Sequence, residues 1–203
     1  MVILGEKAPK TARGRRTLRK ILDAAELEFG ARGFHDASIA SITANAGVAQ
    51  GTFYIYFDSK EGLYRELVAD LGARLRSYLA EHVAAAPNRT EAERAGLRAF
   101  IGFVREHGDL YRIVMESQFV DPEVYRGYFM EFGSAYEAAL GRAVAAGDVR
   151  DGETEGRSWA LMGISLFAGL RYGIWEPDRD VSSVIDSITD MIDRGLRPLP
   201  GRE

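Results

Sequence analysis

Apolar residues recur at helical spacing along most of the chain. The first helix, from about residue 15 to 33, is predicted from the i, i+3, i+4, i+7 positions of Leu18, Ile21, Leu22, Ala25 and Phe29. Ser38 is placed to cap a short second helix, and Gly47 is placed to end it. Since no alternation longer than a few residues predicts a strand, the fold is expected to be all-α, with about nine helices.

The next predicted helix is long. Asp58 and Glu61 form a capping-box pattern, and leucines recur every four residues from Leu63 to Leu79, so a helix from about residue 59 to 83 is expected. The sequence breaks near Pro87 and restarts at a second capping pattern beginning with Thr90. Further helices are predicted over residues 91–107, 109–118, 122–146, 154–175 and 182–194, with Asp121 capping the third of them.

The stretch between the second helix and the long helix is the most informative part of the sequence. Gly47 permits a left-handed turn, and Gln50, Gly51 and Thr52 follow at the start of a third short helix. Phe53 and its neighbour four residues on, Phe57, share one face and predict that this helix is anchored in a core. A turn between two short helices that pack on a third predicts a helix-turn-helix, whose second helix presents side chains to base edges.

These residues resemble the DNA-binding domain of the TetR family of bacterial repressors. The matching segment reads GVAQGTFYIYFDSKEGL over residues 47–63. The resemblance implies an amino-terminal helix-turn-helix domain of three helices over residues 13–60. It also implies that the long helix connects this domain to a helical effector-binding and dimerisation domain over residues 61–198. The sequence departs from the family pattern at Ala49, where Ser is frequent, and at Gln50, where a basic residue is common.

The resemblance also implies which residues meet DNA. Ser38 and Thr43 are expected near phosphates, residues of the third helix near bases, and two tyrosines and a lysine on the DNA backbone. The expected contacts are Arg15, Ser38, Thr43, Gln50, Gly51, Thr52, Tyr54, Ile55, Tyr56 and Lys60. Alternatives stay open: Ser38 as a cap only, Lys60 as a solvated residue, Ile55 as a core residue, and Arg13, Arg15 and Arg16 as part of a disordered tail.

Charge supports a polyanionic partner. The net charge is −4, yet residues 1–20 contain seven Lys or Arg and one Glu. A basic segment on an acidic remainder indicates that the amino-terminal end meets nucleic acid, although a solvated tail has the same composition. The absence of cysteine excludes disulfides and thiolate metal sites. The residues MVILGEK are too few for a secretory signal, so a cytoplasmic location is expected.

The carboxy-terminal part predicts a homodimer. The run from Ser158 to Leu170 is uncharged, and Val181 to Ile192 forms a single apolar stripe. Such a pair of helices is typical of a self-complementary interface, and the family resemblance implies the same, with packing in the core of a monomer as the alternative. The expected interface residues are Trp159, Met162, Leu166, Gly169, Tyr172, Gly173, Ile185, Ile188 and Ile192. A dimer of this kind would read a palindromic operator in double-stranded DNA.

The segment between residues 97 and 136 is rich in aromatic residues. The family resemblance implies that this region encloses a small-molecule effector, and its residue types suit a largely apolar ligand with Glu116 among the polar groups. The expected ligand contacts are Phe103, His107, Tyr111, Met115, Gln118, Phe119, Tyr128 and Phe132. A simple aromatic core is the alternative, because aromatic residues at helical spacing most often serve packing.

Enzymatic, cofactor and metal motifs are missing from the sequence. The three histidines are isolated, and no nucleophile elbow or phosphate-binding glycine loop is found. No cofactor, metal site or membrane partner is therefore expected. The sequence predicts a ligand-responsive transcriptional repressor, and the alternative is a helical ligand-binding or interaction protein without DNA binding.

Overall fold

A computed structural model describes residues 8–197 of the chain. Lys7 of the basic segment, the first apolar residues and residue 198 of the predicted second domain lie outside the described residues. Nine α-helices and no strand occur in the described range. They are α1 Ala12–Asp36, α2 Ile39–Ala46, α3 Gln50–Tyr56, α4 Lys60–Val83, α5 Arg89–Glu106, α6 Gly108–Val120, α7 Pro122–Ala145, α8 Thr154–Gly169 and α9 Ser182–Leu196. A π-helical turn, Leu170–Trp175, continues α8.

The helix ends follow local capping rules. The Ser38 hydroxyl accepts a hydrogen bond from the Ser41 amide (3.0 Å), and Gly47 ends α2 with φ 66°, as predicted. Two predicted caps lie elsewhere. Ser59 rather than Asp58 caps α4 by accepting from the Gly62 amide (3.1 Å). The α5 cap is Asn88, which ranks above Thr as a capping residue and accepts from the Glu91 amide (2.9 Å).

The chain divides into two compact units. The first comprises residues up to Arg74 together with Asp109–Tyr128, and the second comprises Leu75–Gly108 and the residues from Phe129 onward. This division places α6 with the helix-turn-helix and lies 14 residues beyond the predicted boundary at residue 60. The assignment of domains to residues 13–60 and 61–198 stays a prediction.

The core of the first unit joins α1, α2, α3, α4 and α6. Its fully buried side chains include Ile21, Phe29, Ile42, Phe53, Leu63, Tyr64, Leu67 and Ile113. Tyr64 lies edge-on to both Phe29 and Phe34, with ring centroids 5.0 and 5.1 Å apart. Because Tyr64 also donates its hydroxyl to the Ile113 carbonyl (2.6 Å), its burial leaves no unpaired polar atom, and α6 is fixed to α4.

The second unit has two apolar clusters and one buried polar network. The clusters consist of Leu97, Ile101, Ala168, Val181 and Ile185, and of Leu140, Val149, Leu161, Ile192 and Leu196. In the polar network, the buried Glu93 carboxylate accepts from Arg89 and from the Tyr136 hydroxyl. Burial raises the pKa of Tyr136, and the neighbouring Glu93 charge adds to that shift, so Tyr136 stays protonated as the donor.

Candidate nucleic-acid interface

The short helix α3 has one buried face and one exposed face. Phe53 is fully buried and Phe57 nearly so, which confirms the predicted anchors. Gln50 and Gly51 are exposed, Tyr54 is 50% exposed and Ile55 is 63% exposed. At 100° per residue these four positions span one continuous arc of about 140°. Ile55 is therefore a surface residue and not part of the core.

The amino terminus of α2 is fixed to α1 by a buried carboxylate. The Ser41 hydroxyl donates to Glu28 (2.5 Å), and the Asn45 amide reaches the same carboxylate (3.5 Å). Ser38 is exposed beside this contact and caps the helix. Thr43 is buried, and its hydroxyl donates to the carbonyls of Ile39 (2.9 Å) and Ala40 (3.1 Å). Ser38 therefore lies at the surface, as its predicted phosphate contact requires, whereas Thr43 is buried.

Two predicted DNA-backbone contacts have protein partners in the structure. Tyr56 is buried, and its hydroxyl donates to the Gly14 carbonyl (3.2 Å). The Lys60 ammonium donates to the carbonyls of Phe34 (2.7 Å), His35 (3.1 Å) and Ala37 (2.9 Å), which uses all three of its hydrogens. A phosphate contact by either residue would require one of these bonds to open. Sequence spacing predicted neither the burial of Tyr56 nor these partners, which lie 23 to 42 residues away.

The basic segment is helical where the structure describes it. The first helix begins at Ala12, earlier than predicted, and the Thr11 hydroxyl caps it by accepting from the Gly14 amide (3.0 Å). Arg13, Arg15 and Arg16 are exposed in its first turns. Their cationic side chains therefore project from a defined helix end, and Arg15 keeps its predicted place at the surface.

Arg19 differs from the other basic residues, because it is paired. Its guanidinium donates to Asp70 (2.8 and 2.9 Å) and to Asp23 (2.7 Å). Burial alone would lower the pKa of Arg19, but the bonds to Asp70 and Asp23 outweigh it and raise the pKa. Arg19 therefore joins α1 to α4, whereas its neighbours Arg13, Arg15 and Arg16 are exposed.

Helix α6 holds the carboxy-terminal end of α1. Gly33 adopts φ 77° and interrupts α1, and the freed Phe34 amide donates to the Glu116 carboxylate (3.0 Å). Arg65 of α4 donates to one oxygen of Asp121 (2.6 Å). The other oxygen accepts from the Glu123 amide (3.2 Å), which confirms that Asp121 caps the start of α7. Glu116 was predicted among the polar groups of a ligand site, and this stays a prediction. Its bond to the Phe34 amide gives it a partner within the first unit.

The residues predicted to bind a ligand are divided between the two units. The first unit contains Tyr111, Met115, Gln118, Phe119 and Tyr128, and the second contains Phe103, His107 and Phe132. In the second unit the Phe103 ring lies 5.2 Å from Tyr78 and 4.6 Å from His107. In the first, burial raises the pKa of Tyr111, with a contribution from Tyr125, and Phe119 is largely exposed. The ligand site stays a prediction.

Several predicted dimer residues pack within their own chain. A Cβ added at Gly169 would lie 2.5 Å from Phe100, and one added at Gly173 would lie 2.5 Å from Val104, so both glycines serve the contact with α5. Ile185 and Ile192 are buried in the clusters described above. The large apolar side chains that this region exposes are Trp159, Phe167, Ile174, Trp175 and Met191. Among the predicted interface residues, Trp159 has a large apolar side chain that is exposed.

The family comparison matches the segment that builds this surface. The family model for bacterial regulatory proteins of the tetR family matches residues 21–67, which include all of α2 and α3. The HTH-type transcriptional regulator YdgC of Bacillus subtilis is 43% identical over 65 residues, which cover 32% of this chain and 33% of that protein. The HTH-type transcriptional activator FasR of Mycolicibacterium smegmatis is 30% identical over 128 residues, covering 59% of this chain and 58% of that protein.

The matches therefore span about a third and about three fifths of these two relatives' own lengths. Structural likeness extends further. The transcriptional regulator FadR of Bacillus subtilis, solved in complex with stearoyl-CoA, has a TM-score of 0.74 at 17% identity over 88% of this chain and 99% of that one. At this identity the likeness shows a shared fold. All three proteins are named as transcriptional regulators or activators, in agreement with the prediction that the chain is not an enzyme.

Proposed function

Because this chain belongs to the TetR family of bacterial regulatory proteins through its amino-terminal domain, we propose that it is a sequence-specific DNA-binding transcriptional regulator. The observation that carries the proposal is the exposed face of α3, where Gln50, Gly51, Tyr54 and Ile55 have no role in the core. Gln50 offers the amide that pairs with adenine, and Thr52 at the same helix end offers a hydroxyl.

The contacts to the DNA backbone are proposed from the same surface. Ser38, Arg15 and Tyr54 lie exposed around α2 and α3 and supply hydroxyl and guanidinium donors for phosphates. The side-chain donors of Thr43, Tyr56 and Lys60 bond instead to carbonyls of the same domain, so these residues are proposed to position the helix-turn-helix rather than to contact phosphates. Within the first group Arg15 carries the charge, so it contributes to the salt dependence of binding in this proposal.

We further propose that the chain represses transcription and is released by a small, largely apolar ligand. FadR of Bacillus subtilis was solved with stearoyl-CoA, a ligand with a long apolar chain, and the fold is shared. Tyr111, Met115, Gln118 and Phe119 lie at i, i+4, i+7 and i+8 on α6 and therefore form one stripe. A stripe of this composition suits an acyl chain.

The coupling from ligand to DNA is proposed to run along α6. The side of α6 away from that stripe carries Glu116, bonded to the Phe34 amide, and the Ile113 carbonyl, bonded to Tyr64. A ligand that favours another position of α6 would disturb these bonds and so shift α1 and the connecting helix α4. This is allosteric only if the ligand binds the two positions of α6 with different affinity.

The regulator is proposed to act in the cytoplasm as a homodimer on a palindromic operator. Two copies would place their α3 helices about 34 Å apart, or a multiple of that spacing, on successive turns of the duplex. Within residues 8–197, no helix has the length and apolar character that crossing a bilayer requires. The dimer is proposed on the exposed apolar side chains of α8, the π-helical turn and α9.

The proposal is tested by selecting duplexes from a random library with the purified protein and then measuring variants on the selected sequence. Gln50→Ala should relax the preference at one base position, because it removes a base contact. Arg15→Ala should weaken binding to all sequences and lower the salt slope by about one. If neither variant changes binding, the chain does not use this surface for DNA.

The ligand proposal is tested by titrating stearoyl-CoA and shorter acyl-CoAs into the complex with the selected duplex. Release of the duplex at a ligand concentration that depends on chain length is expected, since a longer chain buries more apolar surface. Failure of every acyl-CoA to change the affinity for DNA would contradict an apolar acyl ligand, and tighter DNA binding would contradict release.

A further inference from the structure

Two serine hydroxyls at the start of α2 form a chain that ends on a buried carboxylate of α1. Glu28 is buried and accepts from the Ser41 hydroxyl (2.5 Å). The Ser41 oxygen lies 2.8 Å from the hydroxyl oxygen of Ser38, which is exposed. The chain Ser38–Ser41–Glu28, called the hydroxyl relay below, therefore runs from the surface of the helix-turn-helix into its core.

The position of each hydrogen in the relay follows from counting donors and acceptors. A serine hydroxyl has a single hydrogen. Three acceptors lie within reach of the Ser41 hydroxyl: the Glu28 carboxylate (2.5 Å), the Ser38 hydroxyl oxygen (2.8 Å) and the Ser38 carbonyl (2.9 Å). The carboxylate is the nearest and is charged, and hydrogen bonds to ionised groups are the stronger ones. Ser41 therefore donates to Glu28, and Ser38 is the donor in its contact with Ser41.

The other partners of Glu28 keep this direction. The Arg32 guanidinium lies 3.4 Å from one carboxylate oxygen, and the Asn45 amide donates to the other (3.5 Å). Both groups are donors, so they favour the charged, acceptor-only form of the carboxylate. The Ser38 oxygen itself accepts from the Ser41 amide (3.0 Å). The hydrogen of the exposed Ser38 hydroxyl thus points into the protein.

This orientation opposes the phosphate contact that is proposed for Ser38. A phosphate oxygen of DNA only accepts hydrogen bonds, so Ser38 has to turn its hydrogen outward and give up the bond to Ser41. Resting on the proposed DNA-binding function, we propose that Glu28 is a positioning residue that acts through Ser41 to hold the Ser38 hydroxyl away from DNA. The relay therefore lowers the affinity for the operator, and breaking it raises that affinity.

The test is Ser41→Ala, measured on the duplex that the wild-type protein selects. The variant removes the inward acceptor of the Ser38 hydrogen and keeps the amide of residue 41 that bonds to the Ser38 oxygen. Binding should tighten about fivefold for each half-site, the equivalent of one neutral hydrogen bond. The urea midpoint should fall, because Glu28 loses a donor. A serine that served the fold alone would lower stability without tightening binding.

Two further variants connect the effect to Ser38 and exclude a general effect of lost stability. In a Ser38→Ala background, Ser41→Ala should change affinity by less than about twofold, since no hydroxyl remains to be released. The matched control is Ser59→Ala, which removes a serine hydroxyl that caps α4 in the same unit. It should lower the urea midpoint and leave the affinity for the operator unchanged.

A double-mutant cycle assigns the relay to Glu28. Glu28→Gln replaces the charged acceptor by a neutral amide, so binding should tighten when Ser41 is present. The same substitution in the Ser41→Ala protein should change affinity by less than about twofold, because the relay is already broken. An equal gain in both backgrounds would come from the loss of a negative charge near DNA, and the assignment to Glu28 would be wrong.

The outcomes separate this inference from the function on which it rests. If the protein selects a sequence and Ser41→Ala binds it equally or more weakly, the relay does not restrain Ser38 and the DNA-binding function stands. A gain that persists without the Ser38 hydroxyl would overturn the inference as well. If no sequence is selected at all, the proposed function fails and the inference fails with it.

Discussion

At the scale of single residues, the Lys60 side chain binds the backbone between α1 and α2. The chain passes from α1 into α2 through residues 34–38, and three carbonyls of this passage point to the Lys60 ammonium. The ammonium also lies 4.5 Å from the centre of the Phe34 ring. Lys60 therefore fixes the position of α2, and with it the helix-turn-helix, from the first residue of α4.

Replacing this lysine should affect the fold more than the contact with DNA. Lys60→Met keeps most of the apolar stem but leaves the three carbonyls without their charged donor, so the free energy of unfolding should fall by about 1–3 kcal/mol. Urea unfolding measures this loss. The salt dependence of DNA binding by the folded variant should match the wild type, and a slope lowered by about one would show instead that Lys60 contacts a phosphate.

Periodicity predicted the buried anchors and the exposed start of α3, but not the burial of Tyr56 or the hydrogen-bond partners around the helix. Phe53, Phe57 and the exposed Gln50 follow from periodicity, because a helix fixes which positions share a face. The bond from Tyr56 to the Gly14 carbonyl spans 42 residues, and the bond from Glu116 to the Phe34 amide spans 82. Such pairs depend on how the helices pack together, and spacing along the chain does not contain that information.

At the scale of helices, the junction of α4, α6 and α7 is fixed by one carboxylate. Asp121 accepts from the Arg65 guanidinium and caps α7 through the amides of Glu123 and Val124. Burial by itself would raise the pKa of Asp121, but the bonds from Arg65 and the two amides outweigh it and lower the pKa below its ordinary value of 3.8. The folded state therefore favours the charged carboxylate.

Stability should respond to pH through this group. Because its pKa is lowered on folding, its contribution is present at neutral pH and is lost as the pH falls below about 4. Asp121→Asn should remove that part of the acid sensitivity while its amide oxygen still caps α7. Asp121→Ala should cost about 1 kcal/mol more through loss of the cap.

The measurement is thermal unfolding of the three proteins between pH 3 and pH 7. Arg65→Met serves as a control that removes the exposed partner alone, for which a loss below about 1 kcal/mol is expected. Identical acid profiles for the wild type and Asp121→Asn would contradict this role.

Most helix positions were predicted from the sequence. The differences arise where contacts between helices decide the local structure. Caps and breaks such as Ser38, Gly47 and Pro87 act locally, so the sequence alone marks those helix ends. The π-helical turn Leu170–Trp175 was predicted as ordinary helix. Arg105 of α5 donates to the Tyr172 carbonyl (3.0 Å) and to the Arg179 carbonyl (2.7 Å), and two glycines pack closely on α5. These contacts come from another helix, so the local sequence does not predict the π-helical turn.

At the scale of the whole molecule, the exposed apolar residues of α8, the π-helical turn and α9 are the surface proposed for dimerisation. Phe167 is 69% exposed and Trp175 is 62% exposed. Periodicity led to the prediction of an interface on these helices, which stays a prediction. Periodicity could not separate core-facing residues, such as Ile185, from interface residues, because an apolar side chain can pack within its own chain or against a second copy.

Two substitutions should separate the interface from the core. Phe167→Glu places a charge on the exposed face and should convert a dimer to a monomer, since an unpaired charge in an interface is strongly unfavourable. Ile185→Ala should instead lower the free energy of unfolding by about 2–5 kcal/mol, because it opens a cavity in the core of one chain. Sedimentation equilibrium and urea unfolding measure the two effects. A dimer that persists in Phe167→Glu would place the interface elsewhere.

The central claim is that the exposed face of α3 reads a DNA sequence. The most direct measurement is the ratio of dissociation constants for a random duplex and for the duplex selected by the purified protein, at physiological salt. A specific regulator should bind the selected duplex at least about 1,000-fold more tightly. Gln50→Ala should reduce that ratio with little effect on the random duplex, because it removes a base contact and no charge. Equal dissociation constants for the two duplexes would contradict the claim.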